Sequence, residues 1–123
     1  MKNLSIIILF TLISHFLLAQ QKMDTTNSAL DKVGKEVIIS AKVVGTYYTG
    51  AERGGILFIN LDHKYPNNLI TIIIERDYRM QFPMVTEFEN KQVLVKGLLQ
   101  ENGYGKPTIF LKEESQFVIL ENQ

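Results

Sequence analysis

Phe58-Ile59-Asn60-Leu61-Asp62, Tyr65-Pro66-Asn67 and Leu69-Ile70-Thr71-Ile72-Ile73-Ile74 decide the fold class of this chain. Two runs rich in β-branched and aromatic residues, joined by the turn chemistry of Asp62 to Asn68, predict a hairpin. Further strand-like runs lie on either side. From Lys35 to Tyr48, Val37, Ile39, Ala41 and Val43 alternate with Ile38, Ser40, Lys42 and Val44, the period-two pattern of a strand. Gly45 inside so long a strand predicts a bulge or bend, the device by which small barrels curl their sheet.

The glycine-rich stretch Thr49 to Gly55 is a loop, Ile56 to Leu61 the second strand and Leu69 to Glu75 the third. Arg76 to Glu89 lacks alternation and contains Pro83, which predicts a short helix near Asp77 to Phe82 followed by irregular chain. Lys91 to Glu101 alternates again as strand four, with Val93, Val95, Gly97 and Leu99 on one side. After the loop Asn102 to Lys106, Pro107 to Leu111 is strand five, extended or resumed at Gln116 to Leu120. Three strands, a short helix and two strands is the order of an all-β, five-stranded Greek-key OB barrel, with the helix between strands three and four plugging one end. A small β-sandwich or an SH3-like barrel uses the same number of strands.

The N-terminus predicts export. Lys2 precedes an almost continuously apolar run from Leu4 to Leu18, and Ala19 stands where a signal peptidase cuts. Fifteen residues fall short of the ~20 that a membrane-spanning helix needs, so a cleaved signal over 1–19 is preferred to an uncleaved anchor. The expected product is periplasmic or secreted, without a stable membrane anchor. Of 123 residues, 104 then remain, enough for one domain over 34–123 behind a flexible lead-in over 20–33. The lead-in offers caps and turns at Asp24 to Ser28, a helical turn near Ser28 to Val33, and little to bury.

Thirteen basic and thirteen acidic residues leave no whole-molecule field to attract a polyanion, so any such binding needs a local patch. With no cysteine, no disulfide supports the fold and no lipid can be attached through a cysteine at the cleavage site. After cleavage His63 is the one histidine, and Ser28, Ser40 and Ser115 the only serines. A nucleophile with a positioned base is therefore not assembled, and His63 beside Asp62 lacks the multi-ligand spacing of a zinc site. No catalytic role, metal or cofactor is expected. Glu75, Arg76, Asp77 and Arg79 read as a charged helix start, since a metal nuclease needs a second carboxylate cluster.

On the motifs Phe58-Ile59-Asn60-Leu61-Asp62, Tyr65-Pro66-Asn67, Thr71-Ile72-Ile73-Ile74 and Tyr104-Gly105-Lys106-Pro107-Thr108-Ile109, the chain resembles small bacterial OB-fold proteins related to the tRNA-anticodon-type nucleic-acid-binding domain. The resemblance runs from about Gly34 to Leu120 and implies nucleic-acid binding. The chain departs from the group at Glu75, where an aromatic residue would end the third strand.

An OB barrel presents ligands to the face of strands two and three and the flanking loops. That plan gathers Tyr47, Tyr48, Arg53, Phe58, Asn60, Tyr104 and Lys106 as candidate ligand-binding residues. Aromatic faces stack bases and cations track phosphates, so single-stranded nucleic acid or another extended polyanion is the first expected partner. An envelope protein or glycan is the alternative. Structural roles compete at each position: Phe58 as core, Tyr65 as a cover for the barrel end, Asn60 and Asp62 bonded to turn backbone, and Lys106 as a solvated hairpin tip. Lys42 and Lys96 are expected to face water.

Overall fold

A computed structural model describes residues 22–101 and 106–120. The predicted signal over 1–19 and the candidate Tyr104 lie outside the described residues. The longest element is strand β1 (Glu36–Tyr48), in which Val37, Ile39, Ala41 and Val43 are buried on one face. Its first part pairs antiparallel with β4 (Gln92–Leu98), its last part with β2 (Leu57–Leu61). The predicted bulge is present: Val43 opposes Leu61 and Gly45 opposes Asn60, which leaves Val44 as the extra residue. One inserted residue flips the parity of everything after it. Tyr47 therefore shares the outer face with Phe58, whereas Tyr48 lies opposite the buried Leu57 on the inner side.

Strand β3 (Thr71–Ile74) runs antiparallel to β2 and parallel to β6 (Pro107–Phe110), which in turn pairs with the two-residue β5 (Gln100–Glu101). Seven strands follow the order β5-β6-β3-β2-β1-β4-β7, with β7 (Phe117–Ile119) on β4. Five were expected. The predicted fourth strand divides at Leu99, whose N–H donates to the Lys35 carbonyl and whose carbonyl accepts from Gly34, a junction held by the start of β1. The segment expected to extend or resume the fifth strand passes through a 3-10 turn at Glu114–Gln116 and resumes as β7, which joins β4 rather than continuing β6. Because Leu99 alone separates β4 from β5, the two branches of the sheet meet through the chain itself, and the sheet curls round its core. Gly97 of β4 faces Ile109 of β6 so closely that a Cβ there would stand 2.6 Å from Ile109 Cγ2.

The connection from β3 to β4 is helical, as expected, but differently built. A 3-10 run covers Arg76–Gln81, Pro83 interrupts, and a single α-turn, α2, follows at Val85–Phe88. Phe88 is fully buried and meets Phe117 edge-on, with ring centroids 5.1 Å apart. It joins a core of Ile39, Ile59, Ile72, Val95 and Ile109.

The described part of the lead-in corrects the expectation that it buries little. Asp24 donates its N–H to the Ile38 carbonyl and accepts from Ser40 N–H, using the β1 edge that β2 does not reach. Helix α1 (Thr26–Ala29), capped by Thr25 with a reciprocal bond to Ser28, then buries Ala29 in the core. Hydrophobic contact and edge pairing together fix a segment whose polar composition suggested neither.

Candidate functional site

The register of the strands assembles one continuous row on the outer face. Tyr47 on β1 opposes Phe58 on β2, Phe58 opposes Ile73 on β3, and Ile73 opposes Phe110 on β6. Side chains opposite one another lie on the same side of a sheet, so the four stand abreast. Tyr47 is 57% exposed, Phe58 and Phe110 are half-buried and Ile73 is nearly covered. The Tyr47 and Phe58 rings are 6.2 Å apart and tilted by 36°. The next row along the strands is polar: Gly45, Asn60, Thr71 and Thr108.

The sequence-predicted set thus divides. Tyr47, Phe58 and Asn60 come together on the outer face. Tyr48, 52% exposed, sits round the strand on the inner side at the barrel mouth. Arg53 is exposed on the 3-10 turn Ala51–Arg53 of the β1–β2 loop. That loop is held at both ends: Thr49 Oγ1 accepts the Ile56 N–H at 2.9 Å, and the Arg76 guanidinium donates to the Ala51 carbonyl. Gly55 has φ +64, and a Cβ there would press on the Arg76 side chain, so glycine is favoured where the arginine crosses the loop.

Lys106 is not a free tip. Its ammonium donates to Asn68 Oδ1 at 2.9 Å and to the Pro66 carbonyl, and lies 5.2 Å from the centroid of the Tyr65 ring. Asn68, itself buried, donates to Thr71 Oγ1 at 2.8 Å, so Lys106 fastens the β2–β3 loop to the polar row. Tyr65, expected to cover the barrel end, is instead 76% exposed. Asp62 is structural but does not bond the turn backbone expected for it: with φ 63, its carboxylate accepts the Lys42 N–H of β1 at 2.9 Å and the Thr26 hydroxyl at 3.0 Å. Among the described residues Asn60 makes no side-chain hydrogen bond to the turn backbone expected for it. Lys42 and Lys96 are exposed, as expected.

Tyr48 and Arg79 border an apolar cleft with Phe82, Met80 and Met84, which no feature of the sequence signals. Arg76 to Glu89 carries no period from which it could be read. Asp24 and Lys32 form the ion pair of the described residues, at 3.0 Å. The hydrogen bond from Lys32, opposed by desolvation and helped by Ser28, holds the Asp24 carboxyl below the usual aspartate range. Among the described residues no three His, Asp or Glu side chains are grouped to hold a metal, and no helix is long and apolar enough to cross a membrane.

No family model matches the chain, and no curated protein matches it. Among solved structures, it is similar to a crystal structure of a protein described as an aspartyl-tRNA synthetase of Leishmania major Friedlin, with a TM-score of 0.54 at 12% identity. The match covers 85% of this chain and 21% of that one, so this chain spans about a fifth of the neighbour's length. The likeness is one of fold: a curled, mostly β barrel of OB-like form.

Proposed function

We propose that this chain is an exported, non-catalytic OB-fold module that binds single-stranded nucleic acid, or another extended polyanion, across the outer face of β1, β2 and β3. The observation that carries the reading is the open Tyr47 and Phe58 pair, presented abreast with Asn60 beside it and Arg53 in the adjoining loop. Bases stack on such rings without regard to sequence, for about 1–3 kcal/mol each. The fold it shares with the tRNA synthetase neighbour supports the same ligand class. Export rests on the leader over 1–19. The non-catalytic role rests on the sparse inventory of nucleophiles and bases.

Fluorescence anisotropy with labelled single-stranded DNA and RNA at low salt tests the reading. Tyr47→Ala is expected to weaken binding about fivefold to a hundredfold, the equivalent of one lost stack. Absence of binding, or a Tyr47→Ala variant that binds as before, refutes it. N-terminal sequencing of the accumulated protein tests cleavage after Ala19.

A second reading draws on Lys106. With that ammonium bonded to Asn68 and Pro66, the face is more aromatic than cationic, which also suits an envelope protein or a glycan. Capture of a reproducible partner from envelope extract that Tyr47→Ala abolishes would favour it.

A further inference from the structure

Where β1 runs into the loop before β2, the barrel mouth opens into a cleft of about 420 Å³, within the range of small-molecule sites. Its floor is Leu57 and Phe82, both buried, with Val85 beside them. Its walls are Tyr48, Met80 and Met84, the two methionines 95% and 68% exposed. Of nine large hydrophobic side chains exposed among the described residues, three therefore line this one cleft. Such concentration marks a contact surface, and unbranched thioethers fit themselves to varied apolar shapes.

Arg79 is the only charged residue of the lining. Its Nη1 donates to the Pro83 carbonyl at 3.1 Å, which ties the guanidinium to the chain that follows the 3-10 run. Among the described residues the ion pair is Lys32 with Asp24, and Arg79 forms none with a carboxylate there. A planar cation at the rim of an apolar floor complements a ligand that has a carboxylate head and an aliphatic body.

We propose that this cleft binds a free medium-chain fatty acid, its carboxylate on Arg79 and its chain along Leu57, Phe82 and Val85 beneath Met80 and Met84. The site is separate from the outer aromatic row, because consecutive residues of a strand point to opposite faces, which puts Tyr47 outside and Tyr48 inside. It stands or falls independently of nucleic-acid binding.

The test is titration of the purified protein, methyl-labelled at methionine, with decanoate and with decanol, followed by NMR. Decanoate is expected to shift the Met80 and Met84 methyl signals saturably, with Kd on the order of 0.1–1 mM for so small a ligand. Decanol should bind about tenfold more weakly, and Arg79→Gln should weaken decanoate by about the same factor while leaving decanol unchanged. Met80→Gln and Met84→Gln, at exposed positions that leave the core intact, should weaken both ligands about threefold or more. Tyr47→Ala should change neither. No saturable shift up to about 5 mM decanoate overturns the proposal, since it lies beyond the weakest affinity expected. So does decanol binding as tightly as decanoate with Arg79→Gln indifferent, which would describe an unspecific apolar patch.

Discussion

A single added methyl group tests whether the sheet closes. Gly97 is buried on β4, and a Cβ built on it would lie 2.6 Å from Ile109 Cγ2 on β6 and 3.2 Å from Gln116 Nε2. In Gly97→Ala one of these neighbours has to yield. Overpacking of this kind costs about 1–3 kcal/mol. Displacing Gln116 loosens its bond to the Lys96 carbonyl, now 3.0 Å, for up to about 1 kcal/mol more, and relief of glycine's backbone entropy returns about 0.5–1 kcal/mol. A net loss of about 2 kcal/mol is expected, read as a lower urea midpoint with an unchanged slope. Ile109→Leu removes the Cγ2 methyl itself and alone should cost less than about 1.5 kcal/mol. Combining the two changes should recover about 1 kcal/mol relative to their sum, the signature of residues in contact. Additivity within about 0.5 kcal/mol would refute the contact and, with it, the approach of β4 to β6 on which the barrel depends.

Asp62→Ala forfeits two hydrogen bonds and puts alanine at positive φ, so a loss of about 2–4 kcal/mol by urea denaturation is expected, whereas Asp62→Asn, which tolerates that backbone and keeps an acceptor, should lose less than about 1.5 kcal/mol. Because Asp24 titrates below its unfolded value of 3.8, its contribution is present above that pH and lost as pH falls through the folded value; urea midpoints between about pH 5 and pH 2 should decline less steeply in Lys32→Met, which is less stable near neutrality and converges with the parent in acid. Lys106→Met should lower stability by about 1–2 kcal/mol, through loss of the Asn68 bond, while leaving oligonucleotide anisotropy unchanged; collapse of binding at unaltered stability would make Lys106 a ligand group.

How far the sequence could be read follows the range of the interactions involved. The alternation of Val37, Ile39, Ala41 and Val43 is local, and so is the glycine that marks the bulge, so β1 and its irregularity were legible. The consequence of the bulge was not: alternation alone sets Tyr47 and Tyr48 on opposite faces, and the parity change decides that Tyr47 is the one that joins Phe58 on the outer face. Leu99 continues the alternation of Val93, Val95 and Gly97, and its backbone bonds to Gly34 and Lys35, more than sixty positions earlier, are what divide β4 from β5. Lys106 looked like a solvated tip because Asn68, its partner, stands 38 residues away. The cleft at Arg79 depends on β1, β2 and the β3–β4 connection meeting at one barrel end, and no window of sequence contains them all.

The fastening of Lys106 also determines what kind of binder the outer face can be. Of the candidate cations Arg53 is left beside the row, so a single-stranded ligand would form about one phosphate contact, and log Kobs should fall against log salt with a slope near −0.7. Two stacking rings then supply most of the affinity, about 2–6 kcal/mol together, which corresponds to a Kd of about tens of millimolar to tens of micromolar for short oligonucleotides before the cost of association. A glycan or peptide laid across Tyr47 and Phe58 would gain similar apolar contact with no slope at all. A steep dependence, near −3 or beyond, would require about four phosphate contacts and therefore cations that this face does not gather, and would move the nucleic-acid site elsewhere on the protein.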